Sequence, residues 1–427
     1  MQLSVNSLNF ALILWVFKLT DSNFAVSALI IAYYLPALIF GIFAGVLVDI
    51  LDRRKVIILI DFLLVFFILS YALIKDFYPL ILINAFIINS LNQFFMPAES
   101  SSIPLLVDKS KLFLANSLFS FTLYGSFLLG YTMAGPVFNL FGINILFFTC
   151  SALLFLAFII SWRLPTLQVI QKGKGFTRNL LSLTIYETKE TFKFVRGKLS
   201  VATAIILLSS IQGVIGILAV TVSSYMERIL KIQAADASFI LMLPLGLGMI
   251  TGALVVGRLF QNKPRRMVVT AAIITGGVLF FIVGIAPALA RVFNATELPE
   301  YIPHLRFFFN APSLSSTFAL GAFLLGICTV AIIIPSQTVL QEVTTAQNRG
   351  KIFAVLGVIM NIFALIPVLL AGALADIFGV APIFIGLGLI IFTIGILALK
   401  PAIFFTEQNL PYSVREFLGL GHWEVKG

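Results

Sequence analysis

Charge is in short supply in this sequence. Charged residues make up 11% of the chain against 60% apolar, where a soluble globular protein carries about 25% charge. So little polar surface excludes an ordinary water-soluble fold, and a mean hydropathy of +1.08 reads as a polytopic membrane protein. Cysteine and histidine are scarcer still, two of each. Cys150 and Cys328 lie inside apolar runs, His304 and His422 in loops or tails. No disulfide framework, metal site or histidine-based chemistry is expected from such a set. With no nucleophile motif either, the sequence offers no catalytic constellation, and neither an enzyme nor a cofactor is expected.

Long apolar runs are what the chain has in plenty. Twelve are long enough to cross a bilayer at 1.5 Å per residue. They lie near residues 3–20, 24–48, 56–74, 79–106, 112–141, 143–162, 200–226, 237–257, 267–290, 318–341, 352–375 and 380–399. With residue 1 placed in the cytoplasm, all but six of the 28 basic residues fall in inner segments, the exceptions being Lys18, Lys75, Arg228, Lys231, Arg291 and Arg306. That bias puts both termini inside a cytoplasmic membrane. It also assigns the net charge of +10 to anionic lipid headgroups rather than to nucleic acid. No basic leader with a small-residue cleavage site opens the chain, and no signal peptide is expected.

The inner segment from Arg163 to Ser200 mixes Lys172, Lys174, Arg178, Lys189 and Lys193 with Leu180, Leu181, Ile185, Tyr186, Phe192 and Phe194. That pattern predicts an amphipathic helix on the inner leaflet. It divides the spans six and six, giving a bundle over 1–163, a linker over 164–199, a second bundle over 200–404 and a cytoplasmic tail over 405–427. The halves echo each other. Pro97 to Pro104 followed by Lys111-Leu-Phe-Leu-Ala is matched by Pro335 to Glu342 followed by Lys351-Ile-Phe-Ala-Val. The expected fold is all-α: twelve transmembrane helices in two pseudo-symmetric six-helix bundles, able to rock about a midplane site.

The most specific stretch is Gly45-Val-Leu-Val-Asp49-Ile-Leu-Asp52-Arg53-Arg54-Lys55, a charged turn between spans 2 and 3. A carboxylate four residues after a Gly at a helix end can face a cation or the unpaired amides of another helix N-terminus, and so act as a releasable latch. The turn resembles the loop between helices 2 and 3 of the major facilitator superfamily, roughly G-x-x-x-D-x-x-G-R-R/K. Gly45, Asp49, Arg53 and Arg54 fit, and Asp52 replaces the second Gly. Leu19-Thr20-Asp21-Ser22, Phe95-Met96-Pro97-Ala98, Leu114-Ala115-Asn116-Ser117, Arg349-Gly350 and Gly372-Ala-Leu-Ala-Asp376 are similar to the branch that includes macrolide-efflux and enterobactin-exporter proteins. Span 1 starts almost at Met1, shorter than is usual in the family, which leaves a truncated start open. Span 5 carries Gly135-Pro136 in a weakened form of the family's exporter signature.

The resemblance implies solute export by alternating access, commonly coupled to proton entry. Gly45, Asp49, Arg53, Arg54, Asp61, Glu99 and Arg349 are the expected gate, with Asp49 latched to the inner start of span 11 when the outer mouth is open. Asn9, Tyr34, Asn89, Gln93, Met96, Tyr124, Gln212, Gln337 and Asn361 are the polar or soft groups within the bilayer that could line a cavity. Interhelical hydrogen bonds that hold the bundle are the alternative for span 4. Asp61, Glu99 and Glu227 are the proton-coupling candidates, and Glu227 and Arg228 are expected to pair or stay hydrated. The cavity offers few fixed charges, so the expected cargo of a monomeric carrier is small and lipophilic: a drug such as a macrolide or, alternatively, a native siderophore or lipid. A sensor that binds cargo without moving it stays open.

Overall fold

The computed structural model describes residues 1–108, 112–165, 199–259, 265–295, 311–343 and 346–399. The amphipathic linker, most of the segment from Val292 to Thr317 and the tail from Thr406 onward lie outside the described residues, as do the side chains of Asp49, Tyr124 and Arg349. Every regular element among the described residues is helical: α1 (Gln2–Thr20), α2 (Asn23–Ile50), α3 (Arg53–Ile74), α4 (Tyr78–Leu106), α5 (Leu112–Ser161), α6 (Leu199–Ser224), α7 (Leu243–Leu259), α8 (Arg265–Ala295), α9 (Ala311–Val343), α10 (Ala346–Phe378) and α11 (Val380–Leu399). Lipid cannot hydrogen-bond an open backbone, so long apolar runs are driven into helices that satisfy their own amides.

The twelve expected spans map onto eleven helices because α5 holds two of them. Its 50 residues would reach about 75 Å if straight, far beyond a core of about 30 Å. Gly142, at φ 80 and ψ 169, breaks it and returns the chain; only glycine takes that backbone without strain. The charged turn also proves shorter than its sequence suggests. Helices α2 and α3 are separated by Leu51 and Asp52 alone, and Asp52 caps α3 by accepting from the Arg54 amide at 3.1 Å. The residue that departs from the family pattern therefore starts the next helix, a role in which Asp is among the best residues.

Successive helices run antiparallel, so two ends are defined. One, the Asp376 end, gathers the α1–α2 and α3–α4 junctions, Gly142, the end of α6 and the end of α10; the Asp49 end gathers the remainder. Within the first half α1 packs on α5, α2 on α4, and α3 on both α4 and α5. Within the second α8 packs on α11, α7 on α9 and α6 on α10. The main bridge between the sets is the antiparallel pair α2 and α10, helped by α6 against α1 and α2. Short 3-10 and π-helical turns over 225–242 join α6 to α7 and touch α5.

Candidate functional site

The seam between α2 and α10 begins at the exposed amides of a helix start. Four N–H groups at an α-helix N-terminus have no partner within the helix. In α2 the first two, Asn23 and Phe24, donate to the Asp376 carboxylate of α10 at 2.8 and 3.0 Å. The third, Ala25, donates to Ser22 Oγ at 3.2 Å, and Val26 reaches the Ser22 carbonyl at 3.4 Å. Ser22 Oγ and Asn23 Nδ2 also donate to Asp376, at 2.6 and 2.8 Å. One carboxylate thus takes four hydrogen bonds from a helix that belongs to the other half, at the end where the helix dipole favours an anion.

The closure continues along the seam. Ser27 Oγ donates to the Val368 carbonyl at 2.8 Å. A methyl group on Gly372 would collide with Ser27 Oγ, so glycine is what lets the helices come this close. Beside it Arg228 binds Asp21 at 2.8 Å, donates to the Asp21 carbonyl at 2.7 Å and lies over the Phe17 ring. Across the bundle the Gly135 amide donates to Ser238 Oγ at 3.1 Å, again joining the two halves. Among the described residues, a Cβ added at Gly45 or Gly357, toward the Asp49 end, would meet nothing within 4 Å, as is also true of Gly142 and Gly379 at the other end.

At mid-depth Gln212 Nε2 donates to Tyr34 Oη at 3.2 Å, so two of the cavity residues read from the sequence are joined across the halves. Tyr33 Oη donates to the Asn9 carbonyl at 3.1 Å, while Asn9 Oδ1 is buried without a partner. Gln93 stands near Gly41 and Val358, where α2, α4 and α10 meet. Met96 is turned toward α1, its sulfur accepting from Gln2 at 2.9 Å. Asn89 and Asn361 spend their amides on their own helices, at Ala85 and Gly357. Gln337 is half-buried in α9. Tyr33, Tyr34, Asn9, Gln93 and Gln212 form a neutral polar layer, without a formal charge among them.

Of the expected gate, the side chains of Asp61, Glu99, Arg53 and Arg54 lie among the described residues. Asp61, 1% exposed, accepts from Ser161 Oγ at 2.7 Å, and its second oxygen is buried without a donor. Glu99 likewise has one buried oxygen without a donor. Arg54 donates to the Trp162 carbonyl at 2.7 Å and makes no ion pair with Asp61 or Glu99; Arg53 is buried. Glu227 stands apart, exposed at the Asp376 end. Pairing or hydration is the expectation for Glu227 and Arg228: both side chains are exposed, and Arg228 crosses to Asp21 rather than to its sequence neighbour. Asp21, Ser22, Asn23, Ser27 and Asp376 make contacts between the halves that the sequence reading left without a role. Their signal was present, since Gly372-x-x-x-Asp376 repeats the spacing of Gly45-x-x-x-Asp49.

Twelve crossings among the described residues, a seam between two halves closed at one end, and a neutral polar layer at mid-depth describe a carrier, and the family model of the Major Facilitator Superfamily matches residues 1–296. The chain belongs to that superfamily. It is therefore a transporter and not an enzyme. An uncharacterized MFS-type transporter of Bacillus subtilis (strain 168), YfiS, is 21% identical over 385 residues, covering 90% of this chain and 86% of the relative. Two solved structures share the fold. A D-xylose-proton symporter matches with a TM-score of 0.65 at 12% identity, over 93% of this transporter and 95% of that chain. The nucleoside transporter NupG matches with a TM-score of 0.60 at 14% identity, over 93% and 98%.

Proposed function

We propose that the transporter exports a small, lipophilic solute across the cytoplasmic membrane by alternating access, with proton entry as the driving reaction. The observation that carries the alternating-access reading is the seam between the halves, where α2 and α10 are interlocked at one end through Asp376, Ser27 and Gly372. With the basic residues inside, the interlocked end is the outer one, and the conformation is closed outward. Rocking toward the outward-open state breaks the Asp376 contacts and brings Asp49 to the start of α10, which supplies the same kind of helix N-terminus on the inner side.

Cargo chemistry follows from the mid-depth layer. Tyr34, Gln212, Asn9 and Gln93 can exchange hydrogen bonds but offer no counter-charge, so a neutral or weakly polar solute suits them better than a strong anion, which would want a central Arg or Lys. Asp61 and Glu99 serve as proton carriers: each is buried in the first half with an oxygen lacking a donor, and the two carboxyl groups lie close enough to act on one another and to feel the Met1 amino group. Proton coupling in the fold is represented by the D-xylose-proton symporter. Export rather than import is supported by the resemblance of the Gly135-Pro136 segment to the family's exporter signature; the segment packs on Ser238 of the second half.

Accumulation of a panel of labelled lipophilic compounds, a macrolide among them, in an efflux-deficient host tests the reading. A compound kept out by the wild type, and readmitted by a protonophore, is the expected result. If no member of the panel changes although the protein is inserted, drug export is refuted and a dedicated metabolite exporter takes its place.

A further inference from the structure

A second feature of the Asp376 end has no part in the seam. Lys18, near the end of α1, and Lys75, at the end of α3, converge on one indole. Their ammonium nitrogens lie 6.0 and 5.9 Å from the Trp15 ring centroid, and Lys18 is also 5.6 Å from that of Phe138. The cluster is built rather than incidental, because Trp15 Nε1 donates to the Lys75 carbonyl at 2.8 Å and Trp15 meets Phe138 edge-on at 6.2 Å. Among the described residues neither ammonium has a carboxylate within ion-pair distance; Asp21 is held by Arg228, and Asp76, next in the chain, is exposed and pairs with neither. Two like charges are thus gathered on one ring at the end of the molecule where basic residues are few.

The residue before Lys75 opens a second element. Ile74 and Leu80 form the top of a groove between α3 and α4, of about 300 Å³, which continues through Ser70 and Ile83 to Phe66 and Ile87. It runs along about two turns of each helix, about 11 Å at 1.5 Å per residue. Its walls are apolar, and its few polar groups are already satisfied, Asn84 Nδ2 donating to the Phe67 carbonyl and to Ser70 Oγ. Ile83 is 56% exposed and Leu73 88%, so this face looks into lipid.

We propose that Lys18, Lys75 and Trp15, with the α3–α4 groove beneath Lys75, form a binding site for one anionic phospholipid. The phosphate sits between the two ammonium groups against the indole, at the depth where Trp and Lys anchor membrane proteins, and one acyl chain lies in the groove. A neutral headgroup would leave the lysine pair uncompensated. A free phosphate would leave the groove unused. The proposal is independent of which solute is carried.

The purified full-length transporter, equilibrated with equal amounts of phosphatidylglycerol and phosphatidylcholine and read by native mass spectrometry, tests it. One phosphatidylglycerol should be retained in preference to phosphatidylcholine, with about fivefold preference contributed by each lysine. The double variant Lys18→Gln, Lys75→Gln should bring the two lipids to parity, and Lys18→Arg, Lys75→Arg should keep the preference. Ile83→Trp, which fills the groove, should lower retention of both lipids. Equal retention of the two lipids by the wild type, a preference that survives loss of both lysines, or release of the lipid by excess inorganic phosphate would each overturn the site.

Discussion

Replacing Asp376 by Asn is the perturbation whose size follows most directly from the structure. The carboxylate accepts four hydrogen bonds, two on each oxygen. An amide keeps one acceptor oxygen and turns two hydrogens toward groups that are themselves donors. A hydrogen bond to a charged group contributes about 1.5–3 kcal/mol net, but Asp376 is solvent-exposed, and screening reduces the total loss to about 1–2 kcal/mol. That shifts the closed-to-open ratio at this end by a factor of about 5 to 30. Spin labels at Leu19 and Phe378, 37% and 65% exposed at the Asp376 end, in a background with Cys150 and Cys328 changed to Ala, report the separation by electron–electron double resonance. Asp376→Asn should move population from the short to the long distance. An unchanged distribution in a folded Asp376→Asn protein refutes the latch.

Other substitutions rank around it. Asp21→Asn removes a surface ion pair worth about 0–1 kcal/mol, so the same labels should show a shift several-fold smaller than for Asp376→Asn. Gly372→Val sets a branched side chain against Ser27 and should hold the outer end ajar, abolishing transport while the protein still inserts, as surface labelling and flux would show together. Tyr34→Phe removes the hydroxyl that receives Gln212 and should raise the KM for cargo more than it lowers the maximal rate. Asp52→Ala removes the cap of α3 and should lower the Tm by an amount matching about 1 kcal/mol, with flux near that of the wild type.

Most of the architecture was legible because a membrane leaves few choices. Runs such as Val56–Ile74 and Val380–Leu399 had to become helices, and their ends fell within a few residues of the charges that bound them. Gly142 was less legible: a single glycine inside an apolar stretch gives no sign in composition that it turns the chain, though the length of the run demands a break. The site divides the same way. Tyr34 and Gln212 were visible as polar groups with no water to face, and they meet. Asn89 and Asn361, chosen on the same ground, turn back to their own helices, because a buried amide is satisfied as well by a carbonyl one turn away as by a ligand. Asp376 was missed for another reason. Its partners are the Asn23 and Phe24 amides and the Ser22 and Asn23 side chains. Ser22 marks a helix start in the sequence but not which carboxylate will face it, and the matched spacing of Gly45–Asp49 and Gly372–Asp376 was the pointer to Asp376.

Net movement of solute is the property that separates a carrier from a binding sensor, and flux in proteoliposomes measures it without the rest of the cell. With a fluorescent lipophilic compound found to be excluded by cells, the wild type should move it against its gradient only while a proton gradient is imposed, and Gly372→Val should bind it without moving it. A wild type that binds the compound and leaves its distribution unchanged under a proton gradient would contradict proton-driven export.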